Sequence, residues 1–132
     1  MKVLADTSAL LALVFRDDQH HARAATFARE NPSARLLLTE LILSELVTRV
    51  RARAGAPRAV EVGRSLFESR RYELVFLDSE LLQGALAQMA RHADKRLSLA
   101  DCASFELIDR LGLTTAFSFD RDFRDCGYRM VP

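Results

Sequence analysis

The sequence predicts an α/β protein with a mainly parallel sheet that is covered by helices on both faces. Short apolar runs alternate with longer amphipathic stretches along the 132 residues, and this order is typical of strand and helix units that build a parallel sheet. The strand-like runs are apolar at successive positions, which indicates strands buried on both faces. We find no linker, repeat or low-complexity segment, so we expect a single domain over residues 1–132.

The amino-terminal elements begin with Val3–Ala5, an apolar run that predicts a buried strand. The polar sequence Asp6-Thr7-Ser8 follows it and is typical of a helix amino terminus, so Ala9–Phe15 is predicted to be helical. A second helix is predicted over His20–Arg29. It should end at Asn31-Pro32, because proline disfavours helical geometry in the residue before it.

The next strand is predicted at Leu36–Leu38, and Thr39 is a suitable cap for the helix that follows it. The apolar stripe of that helix comprises Leu41, Ile42, Leu46, Val47 and Val50. Gly55-Ala56-Pro57 separates this helix from one that continues to about Ser69, with the proline in its first turn.

The remaining segments repeat the strand and helix alternation, with Gly112 as the carboxyl cap of the last long helix. The predicted strands are Tyr72–Leu77, Leu113–Phe117 and a short edge strand within Tyr128–Val131, and the predicted helices are Ser79–Arg91 and Ser98–Leu111.

The composition is that of an ordinary globular protein, with 49% hydrophobic and 28% charged residues, which argues against disorder. No apolar run is long enough for a membrane span, and the first one meets Asp6 too early for a signal peptide. We therefore expect a cytoplasmic protein without a membrane segment. Cys102 and Cys126 have no metal-binding spacing, so we expect two reduced thiols that serve packing.

The net charge of +1 gives no overall attraction to nucleic acid, but the middle of the chain is locally basic. Seven arginines face only two glutamates there: Arg49, Arg51, Arg53, Arg58, Arg64, Arg70 and Arg71 against Glu61 and Glu68. This segment is either a solvated helical surface or a phosphate-binding flank, since the planar guanidinium suits phosphate oxygens. Composition does not choose between the two.

Several acidic residues stand at segment junctions, and each has a structural explanation of its own. Asp6 can cap the first helix. Asp101 has the spacing of a capping box with Ser98. Asp120 and Asp122 can be turn residues after a strand.

Glu45 lies inside a predicted helix, where a surface ion pair with Arg49 is the default interpretation. It also follows Leu41 by four positions and Ile42 by three, so it borders the apolar stripe of its helix. A carboxylate at the border of a buried face needs a partner, and a metal ion is one candidate.

The joint placement of the acids favours a shared site. Asp6 and Asp120 each follow a predicted strand and Asp101 opens a helix, positions that meet at one edge of a parallel sheet. Two unit charges 4 Å apart repel by about 4 kcal/mol at an effective dielectric of 20, so such a cluster calls for a cation. Oxygen ligands without histidine or cysteine favour Mg²⁺ or Mn²⁺, and these ions in turn suggest phosphoryl chemistry.

Four segments carry a family resemblance: Val3-Leu4-Ala5-Asp6-Thr7-Ser8-Ala9-Leu10, Leu43-Ser44-Glu45-Leu46, Leu97-Ser98-Leu99-Ala100-Asp101-Cys102-Ala103 and Phe117-Ser118-Phe119-Asp120-Arg121-Asp122-Phe123. In this order and at these separations they resemble the motifs of the PIN domain. Within that superfamily the chain is similar to VapC-type toxin ribonucleases, and the similarity extends over nearly all of it.

The resemblance implies a three-layer α/β/α fold with a five-stranded parallel sheet and endonucleolytic cleavage of RNA. It implies a divalent-metal site of Asp6, Glu45, Asp101 and Asp120, in which Asp122 shares or replaces the role of Asp120. It also implies a cognate VapB-like antitoxin and a homodimer. Three hydroxyls match positions that orient carboxylates or metal-bound water, although they serve equally well as helix caps: Ser8, Ser98 and Ser118.

The predicted mechanism is metal-assisted hydrolysis with one or two Mg²⁺ ions. Arg49, Arg51 and Arg53 are candidates for holding the RNA backbone. His20, His21 and His92 are predicted to be surface residues rather than acid or base groups.

Two other functions remain open at this point. One is a different Mg²⁺-dependent nuclease or phosphoesterase on the same kind of fold. The other is a non-catalytic RNA-binding module in which the acids serve only as caps.

Overall fold

The fold is built on a parallel sheet of five strands, as a computed structural model that describes residues 1–132 shows. The strands are β1 (Lys2–Ala5), β2 (Arg35–Thr39), β3 (Tyr72–Val75), β4 (Thr115–Phe117) and β5 (Arg129–Val131). They lie in the order β3-β2-β1-β4-β5, and every neighbouring pair is parallel. The predicted fold class is confirmed. The first strand of the chain is thus the middle strand of the sheet.

Seven helices connect and cover the strands. They are α1 (Thr7–Val14), α2 (His21–Glu30), α3 (Glu40–Ala54), α4 (Ala56–Glu68), α5 (Ser79–Arg91), α6 (Leu99–Leu111) and α7 (Arg121–Asp125). No helix is both long enough and apolar enough to cross a membrane.

Two hydrophobic clusters lie on opposite faces of the sheet. Successive residues of β1 point to opposite faces: Val3 and Ala5 belong to the cluster that includes residues of α1 to α4, and Leu4 belongs to the cluster with α5, α6 and α7. At the centre of the second cluster, the Phe105 ring meets the Phe123 ring edge-on with 4.9 Å between centroids. Both faces are therefore buried, as the apolar runs predicted.

Helix α7 was not predicted by the sequence pattern, which indicated a turn after β4. The Asp120 carboxylate caps this helix by accepting a hydrogen bond from the Asp122 amide at 2.9 Å. A helix of five residues is too short to present an amphipathic stripe, so periodicity gives no signal for it.

Two strands are shorter than predicted because backbone groups bond elsewhere. The Leu77 amide donates to Glu40 Oε1 at 2.7 Å, beyond the end of β3 at Val75. The Leu113 amide donates to the Ile108 carbonyl at 3.0 Å, which closes α6 after the left-handed Gly112 at φ 62°.

The two cysteines are free and pack in the second cluster, Cys102 buried and Cys126 half-buried. Burial raises the pKa of both thiols, that of Cys102 to about 11. A raised pKa keeps the thiols protonated and unreactive, which agrees with the predicted packing role.

Candidate metal centre and active site

The Asp6 carboxylate is the most deeply buried acid of the candidate site. Asp6 follows β1 and caps α1, and only 3% of its surface is exposed. Its Oδ2 atom accepts hydrogen bonds from Ser8 Oγ at 2.7 Å and from Ser118 Oγ at 3.0 Å. Two hydroxyls from different parts of the chain therefore fix the orientation of this carboxylate.

The same hydroxyls join the ends of β1 and β4. Ser8 Oγ accepts a hydrogen bond from the Phe119 amide, and Ser118 Oγ accepts one from the Asp120 amide, each at 3.0 Å. The loop that carries Asp120 is thereby held against the start of α1. Ser8 and Ser118 thus each link the Asp6 carboxylate to the backbone of this loop.

Asp101 combines two roles that the sequence presented as alternatives. It forms a capping box with Ser98: the Asp101 amide donates to Ser98 Oγ at 3.0 Å, and the Ser98 amide donates to Asp101 Oδ2 at 3.1 Å. The Asp101 carboxylate also lies close to two others, since Asp101, Asp120 and Asp122 each offer an oxygen within 4.8 Å of the others. The structure thus brings both Asp120 and Asp122 to the cluster.

Glu45 lies on α3, and its carboxylate accepts a hydrogen bond from a residue that the sequence analysis did not single out. Thr7 Oγ1 donates a hydrogen bond of 2.7 Å to Glu45 Oε2. This bond replaces the surface ion pair with Arg49 that the helix spacing suggested. Thr7 is buried, with 3% of its surface exposed, whereas Glu45 is half-buried.

The acids and their hydrogen-bond partners, except Ser118, line one open cavity of about 270 Å³. Its lining contains no hydrophobic residue and includes the five acids Asp6, Glu45, Asp101, Asp120 and Asp122. Two cations also line it, namely Arg49 and Arg96. Arg96 gave no sequence signal beyond its position two residues before Ser98.

The other two RNA-binding candidates lie outside this lining. Arg53 pairs with Asp17 at 3.3 Å, and its guanidinium lies 3.9 Å from the centre of the Phe15 ring. Arg51 is exposed near the end of α3. Of the three arginines predicted to hold RNA, the structure places only Arg49 beside the acids.

The histidines do not line the acidic cavity. All three are half-buried. His20 stacks on Phe119 with ring centroids 4.3 Å apart, and His21 Nδ1 lies 2.7 Å from the Ala12 carbonyl oxygen. Each ring therefore has a packing role near the site.

The electrostatics of the cluster favour a bound cation or proton. The pKa of Asp6 is raised to about 6, mainly by burial and also by the negative charges of Asp101 and Asp120, while the Ser8 and Ser118 hydrogen bonds oppose the rise. Burial also raises the pKa of Asp101 and of Asp122, and neighbouring carboxylates add to both. Carboxylate and hydroxyl oxygens without histidine or cysteine form a donor set that suits Mg²⁺ or Mn²⁺.

The class of protein follows from a family comparison, in which the PIN domain family matches residues 3–127. The chain belongs to the PIN domain family. It is 25% identical over 126 residues to the 23S rRNA-specific endonuclease VapC20 of Mycobacterium tuberculosis, in strains CDC 1551 and H37Rv. That alignment covers 96% of this chain and 95% of VapC20.

Solved structures agree with this assignment. The crystal structure of M. tuberculosis VapC20, described as a Sarcin-Ricin loop cleaving toxin, superposes with a TM-score of 0.88 at 25% identity over 96% of this chain and 95% of that one. VapBC2 from Rickettsia felis, bound to a DNA fragment from their promoter, gives 0.73 at 10% identity, covering 98% and 97%. FitAcB from Neisseria gonorrhoeae gives 0.67 at 14% identity, covering 100% and 97%. The last two support the fold alone.

Proposed function

We propose that this protein is a Mg²⁺-dependent endoribonuclease that hydrolyses RNA phosphodiester bonds as the toxin of a type II toxin-antitoxin module. The observation that carries the proposal is the convergence of five carboxylates in one polar cavity. Separate caps and ion pairs give no reason for such a convergence, whereas a metal site does. The similarity to the endonuclease VapC20 over 96% of the chain supports the reaction type.

The residues suited to hold the ion are Asp101, Asp120 and Asp122. Asp6 and Glu45 line the same cavity. Mn²⁺ is a suitable substitute for Mg²⁺, because both prefer oxygen ligands. When bound, such an ion lowers the pKa of a water molecule and neutralises charge that develops on the phosphate oxygens.

The protein's own groups prepare this chemistry by orientation. Ser8 and Ser118 hold one Asp6 oxygen, and Ser98 holds one Asp101 oxygen. Thr7 occupies Glu45 Oε2, which fixes the side chain and leaves Oε1 as the oxygen to accept a proton or contact the ion. Arg49 and Arg96 line the same cavity and can contact phosphate oxygens of the substrate.

The partners follow from the proposed role. A VapB-like antitoxin would inhibit the enzyme, and the active protein would be a homodimer. Co-expression with the product of a neighbouring small reading frame, followed by size-exclusion chromatography, tests both assemblies.

The decisive experiment compares substrates and metals. We expect the purified protein to cleave RNA in Mg²⁺ or Mn²⁺, and to lose cleavage when EDTA removes the ion. 23S rRNA is the first substrate to test, with DNA of matching sequence and a small phosphoester as controls. Sequencing of the new RNA ends identifies the cleaved bonds. Cleavage confined to DNA or to the small phosphoester would contradict the proposal, and binding without any cleavage would favour a non-catalytic RNA-binding module.

Thr7→Val tests the support of Glu45. Valine matches the shape of threonine but cannot donate a hydrogen bond, so Glu45 loses its partner. We expect cleavage to fall roughly 10- to 100-fold, as for other groups that orient metal-site residues. Thr7→Ser keeps the hydroxyl and should retain most of the activity. Equal rates for the valine and serine variants would show that the bond is dispensable.

A further inference from the structure

A second cavity, of about 460 Å³, adjoins the acidic site and has the opposite charge. Four arginines line it: Arg23 from α2, Arg121 and Arg124 from α7, and Arg129 from β5. No aspartate or glutamate belongs to its lining. We call it the arginine cavity.

The arginines of this cavity are poorly neutralised by the protein. Arg121 and Arg129 are exposed and form neither an ion pair nor a side-chain hydrogen bond. Arg124 pairs with Asp125 at 3.8 Å, but both side chains are largely exposed, so this pair contributes little. Arg23 donates to an oxygen of Pro132, the last residue of the sequence, at 3.1 Å, and its guanidinium lies 5.4 Å from the centre of the Phe119 ring, so it is the best compensated of the four. Such a concentration of guanidinium groups favours a bound polyanion.

The arginine cavity and the acidic cavity have no lining residue in common, but one short segment of the chain connects them. Ser118 lines the arginine cavity and donates to Asp6 at 3.0 Å. Phe119 lines it as well, and the next residue, Asp120, belongs to the acid cluster. A nucleic-acid strand whose reacting phosphate lies at the acids would therefore place neighbouring phosphates beside the arginines.

We propose that the arginine cavity binds the RNA backbone next to the bond that is cleaved. This inference rests on the proposed function and assigns part of the substrate to a named surface. Contacts of this kind position the strand without reading its sequence. The neighbouring acid cluster, where we propose that RNA is cleaved, favours an RNA backbone as the occupant, since arginine forks match phosphate and carboxylate oxygens alike.

The test measures RNA binding apart from cleavage. The full chain carries Asp6→Asn to prevent hydrolysis, and a fluorescent single-stranded RNA is titrated between about 50 and 300 mM salt. The test variant adds Arg121→Gln and Arg129→Gln, and the control adds Arg16→Gln and Arg29→Gln, two exposed arginines outside both cavities. All four positions are exposed, so circular dichroism should confirm an unchanged fold.

We expect the test variant to bind RNA about tenfold more weakly at low salt, while the control changes by less than about twofold. The slope of log affinity against log salt should flatten by about 1.4, since each lost phosphate contact on a single strand removes about 0.7. Equal affinity and slope in the test and control variants would overturn the proposal.

Two further arms separate this inference from its alternatives. If the protein without Asp6→Asn cleaves RNA, and the arginine substitutions change neither binding nor cleavage, the proposed function stands and the cavity assignment fails. If no RNA is cleaved but the substitutions still weaken RNA binding, the cavity assignment stands and the proposed function fails. A polyglutamate probe that binds more tightly than RNA of equal charge would assign the cavity to a protein partner and overturn the RNA proposal.

Discussion

The Asp6→Asn variant is expected to keep its fold and to cleave RNA on the order of 10³-fold more slowly than the native sequence, given the usual effect of removing one electrostatic contact at a reacting centre. Asparagine remains a good helix cap and can still accept the hydrogen bonds from Ser8 and Ser118. The substitution removes only the negative charge of this buried carboxylate, which lies close to Asp101 and Asp120. Initial rates with saturating Mg²⁺ measure the effect.

Asp94→Asn is the matched control for this substitution. It makes the same chemical change at a side chain that is 79% exposed and pairs only with Lys95, at 4.0 Å. Its rate should stay near that of the native sequence. Equal rates for the Asp6 and Asp94 variants would mean that Asp6 acts only as a cap.

The Asp6→Asn variant should be more stable than the native protein at high pH when divalent ions are absent. The pKa of Asp6 is raised from 3.8 to about 6 by burial, so the native state binds more protons than the unfolded state between these pH values. The contribution of Asp6 to the free energy of unfolding therefore falls as pH rises through this window. The Asn variant lacks this titration, and its advantage should grow from near zero at pH 4 to roughly 1 to 3 kcal/mol at pH 8.

Urea unfolding in EDTA at several pH values measures the difference. Adding Mg²⁺ at pH 8 should stabilise the native sequence by about 2.7 kcal/mol when the ion is at 100 times its dissociation constant. The Asn variant should gain much less, because its site has lost a charge. A stability difference that is the same at pH 4 and pH 8 would contradict the assignment of a buried, ionising Asp6.

The positions of the acids could be predicted because each is tied to a local pattern. Asp6 follows an apolar run and Asp101 belongs to a capping box, and topology brings the carboxyl ends of parallel strands to one edge. Sequence left open whether Asp120 or Asp122 is the fourth acid. Helix α7 explains why both reach the cluster, since it begins directly after Asp120 and contains Asp122.

Contacts between residues far apart in the chain could not be predicted, because they leave no pattern in the sequence. Thr7 and Glu45 are 38 positions apart, so no periodicity relates the donor to its acceptor. The arginines illustrate the same limit. Those that cluster in the sequence are spread along α3, α4 and the turn after α4, while the arginine cavity combines Arg23 with three arginines of α7 and β5. Density of charge along a chain is a poor guide to density on its surface.

The central position of β1 in the sheet affects how late in synthesis the proposed cleavage centre can form. Of the five strands, β1 is made first, but one of its two neighbours, β4, is made fourth. The hydrogen bond between Ser118 and Asp6 spans 112 positions. A nascent or prematurely terminated chain that lacks the segment from β4 onward therefore has neither Ser118 nor the paired acids after it. The proposed cleavage centre can form only after the segment from Ser118 to Asp122 has been translated.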